Sequence, residues 1–146
     1  METVRRVLEK KGRAVWTVRP DVMVIEALHL MAEKDVGALL VLDTQAQLVG
    51  IISERDYARK VILKGKSSLD TPVREIMTQA VVSVRPDRTV EDCMALMTAR
   101  RVRHLPVLAG GQVVGVVSIG DLVKASLDEK DFLIRQLETY IMGDRQ

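Results

Sequence analysis

Apolar positions along this chain follow helical and strand spacings in an order that occurs twice. Over residues 3–11, Val4, Val7 and Leu8 share one helical face, and Gly12 ends the helix. Residues 14–18 read as a short strand, stopped by Pro20. Over residues 22–34, Val24, Ala27, Leu28 and Met31 return at helical spacing. Two continuous apolar runs follow, residues 38–42 and 48–52, joined by a polar turn at 43–47. That pattern predicts a buried hairpin. The hairpin leads directly into a helix over 53–63, and Gly65-Lys66-Ser67-Ser68 forms a linker. The second pass places Val90, Cys93, Met94 and Met97 on a helix, turns its hairpin at Gly110-Gly111, and runs into a helix over 118–127. A further helix is expected over 128–142, with Phe132, Leu133, Gln136, Leu137, Tyr140 and Ile141 on its packing face and Gly143 at its end.

The two passes are one unit copied. Val18-Arg19-Pro20-Asp21 returns as Val84-Arg85-Pro86-Asp87, an offset of 66 positions that also relates Val24 to Val90 and Leu30-Met31 to Leu96-Met97. After the shorter second hairpin turn the offset is 65, relating Gly50 to Gly115, Ser53 to Ser118 and Asp56 to Asp121. Each copy reads strand, helix, strand, strand, helix, which makes the fold a mixed α/β (α+β) class of two pseudo-symmetric repeats. A unit of about sixty residues buries too little surface to be stable alone, so the copies are expected to pack on each other. The cleft between such halves is a natural ligand site. By chain order the divisions fall at 1–65 (first helix and first repeat), 66–127 (second repeat) and 128–146 (last helix).

Composition narrows the function classes. Aromatics make up 3% of the chain, so the core is aliphatic and stacking platforms for single-stranded nucleic acid are lacking. A net charge of +2 exerts little nonspecific pull on nucleic acid or anionic membrane. Cys93 is the only cysteine, which excludes an internal disulfide and suits a reducing compartment. No apolar leader or membrane-spanning run is visible, and a cytoplasmic location is expected. With two histidines and one cysteine the chain offers no zinc ligand set, and it has no glycine-rich phosphate loop or nucleophile–base pair. An enzyme is not expected. Cys93 falls on an apolar helix face and reads as core.

Val-x-Pro-Asp, an apolar helix, Leu105-Pro106-Val107-Leu108 and then Val114-Gly115-Val116-Val117-Ser118 with Asp121 together resemble the cystathionine-β-synthase (CBS) domain. Residues 73–78 resemble the lead-in to such a repeat, and residues 52–57 are similar to small bacterial stand-alone CBS-pair proteins. The resemblance covers roughly residues 7–126. It implies a CBS pair, or Bateman module, that binds an adenosine-containing ligand such as AMP, ADP, ATP or NAD in the cleft between repeats. It also implies a homodimer that reports cellular energy state to an effector protein in trans.

The chemistry of Ser-x-x-Asp can be argued from helix geometry. A helix starts at Ser53 and at Ser118, where unpaired N–H groups and partial positive charge suit a phosphate. The carboxylates of Asp56 and Asp121, one turn on, suit the vicinal hydroxyls of a ribose. The same spacing is that of a capping box, and both readings stay open. Arg103 and His104 lie at the entry to a strand, where the resemblance implies contact with adenine or phosphate; Pro106 follows them. The first copy has Gly37-Ala38 at the positions of Arg103-His104, so Ala38 marks an uncharged half-site and the two half-sites are unequal. Thr17 and Ser83 are equivalent polar residues on the first strand of each copy, where the resemblance implies backbone groups offered to adenine. Arg55 is placed to reach a phosphate, and its counterpart Gly120 is not. The alternative function is a ligand-free interaction module acting through homodimerisation or partner binding, with Asp56 and Asp121 as caps.

Overall fold

The computed structural model describes residues 2–144. Among them are five α-helices, α1 (Val4–Lys11), α2 (Val24–Lys34), α3 (Glu54–Tyr57), α4 (Val90–Arg100) and α5 (Ile119–Asp144). The strands are β1 (Thr17–Val18), β2 (Ala38–Leu42), β3 (Leu48–Ser53), β4 (His104–Ala109) and β5 (Gln112–Ser118). They form a sheet of order β1-β2-β3 and a separate β4-β5 hairpin. The chain divides into two compact units that are not contiguous in sequence.

One unit comprises Ala14–Ser83 with Gly110–Val114. In it β1 runs parallel to β2, and β2 pairs antiparallel with β3 in the register Ala38↔Ser53, Leu39↔Ile52 and Leu40↔Ile51. Leu39, Val41 and Ile52 bury against Val24, Ala27 and Met31 of α2, the helical face read from the sequence. Past α3 the helix widens into a π turn at Ala58–Ile62, where the Leu63 N–H donates to the Ala58 carbonyl, and Val61 is buried there. The core is closed from below by the segment after the linker. Val73 and Ile76 of a 3₁₀ turn (Val73–Glu75) and the residue after it join the cluster. The N–H groups of Val73 and Arg74 donate to the carbonyls of Val22 and Pro20, and Ile51 and Thr78 exchange both backbone bonds.

The other unit comprises the chain up to Arg13, Val84–Ala109, and the chain from Gly115 onward. Its α4 starts at Thr89, whose hydroxyl accepts the Asp92 N–H, and ends at Arg101 in the left-handed region, as α2 ends at Asp35. Helix α1 is capped by Thr3 and stopped by Gly12 at φ 100°, as its sequence predicts. It is stitched to the approach of α4, since Val4 and Arg5 N–H groups donate to the Arg88 and Pro86 carbonyls. Val4, Val7 and Leu8 are buried.

The compact units cut across the division by chain order. The N-terminal helix, grouped with the first repeat over 1–65, folds with the second repeat. Residues 66–83, grouped with the second repeat, fold with the first. Each lead-in segment completes the core of the other copy. Glycine at 50 and 115 permits this close approach: a Cβ at Gly50 would lie 2.6 Å from the Met77 sulfur and 3.1 Å from the Thr78 carbonyl, and one at Gly115 would lie 2.7 Å from a Leu8 methyl.

Two further expectations are corrected. Ser83 does not lie on a strand: the second copy keeps only a bridge, Val84 to Val107, because a single N–H and carbonyl pair from Val84 reaches the edge of β4. The helix expected over 118–127 and the one expected over 128–142 are a single helix, α5. No proline or glycine interrupts residues 121–142, so nothing breaks the hydrogen-bond ladder between them. Helix α5 passes through Gly143, and residues 145–146 of the expected last segment lie outside the described residues. No helix among the described residues is long and apolar enough to cross a membrane.

Gly50→Ala should cost about 1–3 kcal/mol in urea denaturation, because the Thr78 backbone opposite it is fixed in a bridge and cannot yield as a side chain can. A cost near zero would show that this approach is not tight.

Candidate functional site

The two Ser-x-x-Asp corners fold alike, each inside its own unit. Strand β3 ends at Ser53, whose extended backbone (φ −127°, ψ 165°) turns the chain into α3. The Asp56 N–H donates to Ser53 Oγ at 3.2 Å, and the Ser53 N–H donates to Asp56 Oδ2 at 3.0 Å. At the end of β5, the Asp121 N–H donates to Ser118 Oγ at 3.1 Å and the Ser118 N–H to Asp121 Oδ2 at 2.8 Å. Both motifs are therefore reciprocal capping boxes, which hold a carboxylate in place at the start of a helix. The entry to the preceding strand is tied to the same corner: the Glu54 N–H donates to the Gly37 carbonyl, and the Ile119 N–H to the Arg103 carbonyl.

The surroundings of the two carboxylates differ. In the first corner Asp56 is 8% exposed and its oxygens are all engaged. Oδ2 accepts from the Ser53 N–H and hydroxyl, while Oδ1 accepts from Thr78 Oγ1 at 3.3 Å and pairs with Lys60 Nζ at 3.0 Å. Lys60 also donates to the Ile76 carbonyl at 2.9 Å. Ala38 stands opposite Ser53 in the sheet, Thr17 is exposed on β1 in register with Leu40, and Arg55 is half-buried on the first turn of α3. Ser83 is exposed.

In the second corner Lys11, from the last turn of α1, donates to Asp121 Oδ2 at 2.7 Å and to the Val116 carbonyl at 2.8 Å. Lys11 and the Ser118 N–H thus meet on one carboxylate oxygen, Oδ2. Burial alone would raise the Asp121 carboxyl, but the hydrogen bonds and charge of Lys11 and the bonds from Ser118 hold it below its ordinary value. His104 begins β4 half-buried. Burial pushes its imidazole below the ordinary value; Asp121 opposes this, and Lys11 and Arg103 add to it. Arg103 is exposed, and Pro106 is buried with its carbonyl accepting the Val84 N–H.

The second corner thus gathers Lys11, Arg103, His104, Ser118 and Asp121, and the first gathers Ala38, Ser53, Asp56 and Lys60. Sequence reasoning missed Lys11, Lys60 and Thr78. Lys60 had a local signal, four residues after Asp56 on one helical face. Lys11 had none, since it reaches Asp121 across 110 positions. Among the described residues no group of three His, Cys, Asp or Glu side chains is placed to hold a metal.

Known proteins carry the same architecture. The family model for the CBS domain matches residues 4–63 and 73–128. The mitochondrial CBS domain-containing protein CBSX3 of Arabidopsis thaliana is 39% identical over 97% of this chain and 72% of its own length. The crystal structure of the CBS-domain containing protein ATU1752 from Agrobacterium tumefaciens superposes with a TM-score of 0.82 at 40% identity, covering 85% of this chain and 98% of that one. The CBS domain pair of protein MJ0100, solved in complex with 5-methylthioadenosine and S-adenosyl-L-methionine, gives a TM-score of 0.75 at 25% identity, covering 84% of this chain and 98% of that one.

Both shifted groups make stability rise with pH, because the unfolded chain binds more protons. The contribution of neutral His104 is complete above its ordinary 6.5 and is lost as pH falls from there through the lowered folded value. That of Asp121 is complete above its ordinary 3.8 and is lost on further acidification. Urea denaturation from about pH 8 down to about pH 5 should show stability falling below the imidazole range in the wild type and a flatter profile in His104→Gln. Identical profiles would show that His104 titrates as a solvated side chain.

Proposed function

The chain belongs to the CBS-domain family, and from that premise we propose that it is a regulatory module binding an adenosine-containing ligand at its Ser-x-x-Asp corners. The observation that carries this reading is the pair of carboxylates fixed at helix starts by their own capping bonds. A carboxylate held in this way needs no reordering to accept the two hydroxyls of a ribose, so little conformational entropy opposes binding. The relative MJ0100, a CBS pair that holds adenosyl ligands, supports the ligand class.

The second corner is the stronger of the two in this reading. Asp121 is held through Oδ2, and Lys11 and Arg103 offer positive charge to a phosphate. At the first corner a ligand must displace Thr78 or Lys60 from Asp56 Oδ1. AMP, ADP, ATP and NAD are the candidates. The ligand shifts the module between states of different affinity, and a homodimer passes that shift to an effector protein in trans. The buried thiol of Cys93 suits a reducing, cytoplasmic setting. The capping bonds also favour a second reading, in which both aspartates act only as caps of a ligand-free interaction module.

Calorimetric titration with AMP, ATP, NAD and S-adenosylmethionine, paired with denaturation of Asp56→Ala and Asp121→Ala, separates the readings. The nucleotide reading expects saturable binding that Asp121→Ala abolishes and Asp56→Ala reduces, each variant also losing about 1 kcal/mol of capping stability. The same stability loss with no binding of any of the four by the wild type would leave the interaction module standing.

A further inference from the structure

The outer part of α5 is a helix without a core. Every residue from Asp131 to Met142 is exposed, and α5 is the longest helix among the described residues. Yet it carries a sustained apolar stripe. Leu127, Ile134 and Ile141 recur at seven-residue spacing, as do Val123, Lys130 and Leu137, with Leu133 and Tyr140 beside them. Interleaved, the two series give the three-and-four alternation of a coiled-coil seam. The exposures are 56% at Leu127, 52% at Leu133, 53% at Ile134, 61% at Leu137, 68% at Tyr140 and 52% at Ile141. At on the order of 100 Å² each, these six side chains offer roughly 600 Å² per partner, near the lower bound of a stable interface. A solvated helix of this length is marginal by itself, so such a stripe calls for a partner.

We infer that the occupant is the same helix of a second copy, running antiparallel. The argument turns on Lys130, the one charged residue in the seam. A parallel pair would stack Lys130 on its own copy in the middle of an apolar interface, which like-charge repulsion opposes. An antiparallel pair with its two-fold axis level with Phe132 sets Lys130 against Ile134 of the partner copy, so the two ammonium groups occupy separate layers. The same register seats Leu127 on Leu137 and Val123 on Ile141, using the whole stripe without overhang. On the flanks, Lys124 of each copy approaches Glu138 of the other, giving two ion pairs. Asp131 approaches its own copy at the axis, a like-charge contact that solvent and salt screen. A single polar residue in an apolar seam commonly fixes register in this way. An anionic lipid surface fits less well, since Asp128 and Glu129 lie away from the stripe and Asp131 and Glu138 border it.

This pairing is independent of any ligand, and its test needs none. In the full chain, Leu133→Cys lies beside the axis and should be joined to its own copy by a short bis-maleimide. Ile141→Cys should not, its two copies being roughly 27 Å apart at 1.5 Å per residue. The unmodified chain serves as the blank, because Cys93 is buried. Sedimentation equilibrium of Ile134→Glu with Leu137→Glu, both exposed positions that the fold does not use, should weaken association at least about 100-fold. Cross-linking at Ile141 would overturn the antiparallel direction. Absence of cross-linking at Leu133, or unchanged association in the double variant, would overturn the pairing and point to a different protein on this face.

Discussion

Two backbone bonds at the mouth of a helix organise each repeat. The serine N–H reaches forward to the aspartate carboxylate, and the aspartate N–H reaches back to the serine hydroxyl. Because the chain must leave a strand in extended geometry and enter a helix within one residue, these bonds set the angle of the corner. Each corner's chemistry is measured from it: the carboxylate is a fixed point, the preceding strand entry is tied to the first helical N–H, and a lysine, local at Asp56 and distant at Asp121, finds the carboxylate already aimed. In the proposed function, cap and ligand anchor are one arrangement seen at two levels.

Each repeat carries one such corner, and the two are unequal. Lys60, local to the first, ties Asp56 to the Ile76 carbonyl. Lys11, distant from the second, ties Asp121 to Val116. Gly37-Ala38 at one strand entry and Arg103-His104 at the other set the local charge. The two corners thus share a backbone arrangement but differ in their electrostatic surroundings.

Much of the fold was legible because it is local. The apolar spacing of Val24, Ala27 and Met31, the paired runs of β2 and β3, and the Gly12 and Ser53 boundaries are properties of neighbouring residues, and the structure has them where the pattern puts them. The repeat offset carried the family. What the pattern could not show was which copy each lead-in serves. Val4, Val7 and Leu8 announce a buried face but not its partner, and Val73 and Ile76 likewise. The continuity of α5 was hidden because its packing changes at Leu127 while its backbone does not. At the corners, Ser53, Asp56, Ser118 and Asp121 were legible, and Thr78 and Lys11 were not, since their roles depend on long-range closure.

The exchanged lead-ins also order events at the ribosome. Helix α1 is made before either hairpin, yet its apolar face meets Gly115 and the approach to α4, which are made about eighty or more residues later. The sheet of the first repeat and its closing turn at Val73–Glu75 are complete much earlier. Until Gly115 is made, the amphipathic face of α1 therefore stays unburied while the first sheet is complete. A chain released before Gly115 would leave the apolar face of α1 without the residues it packs on.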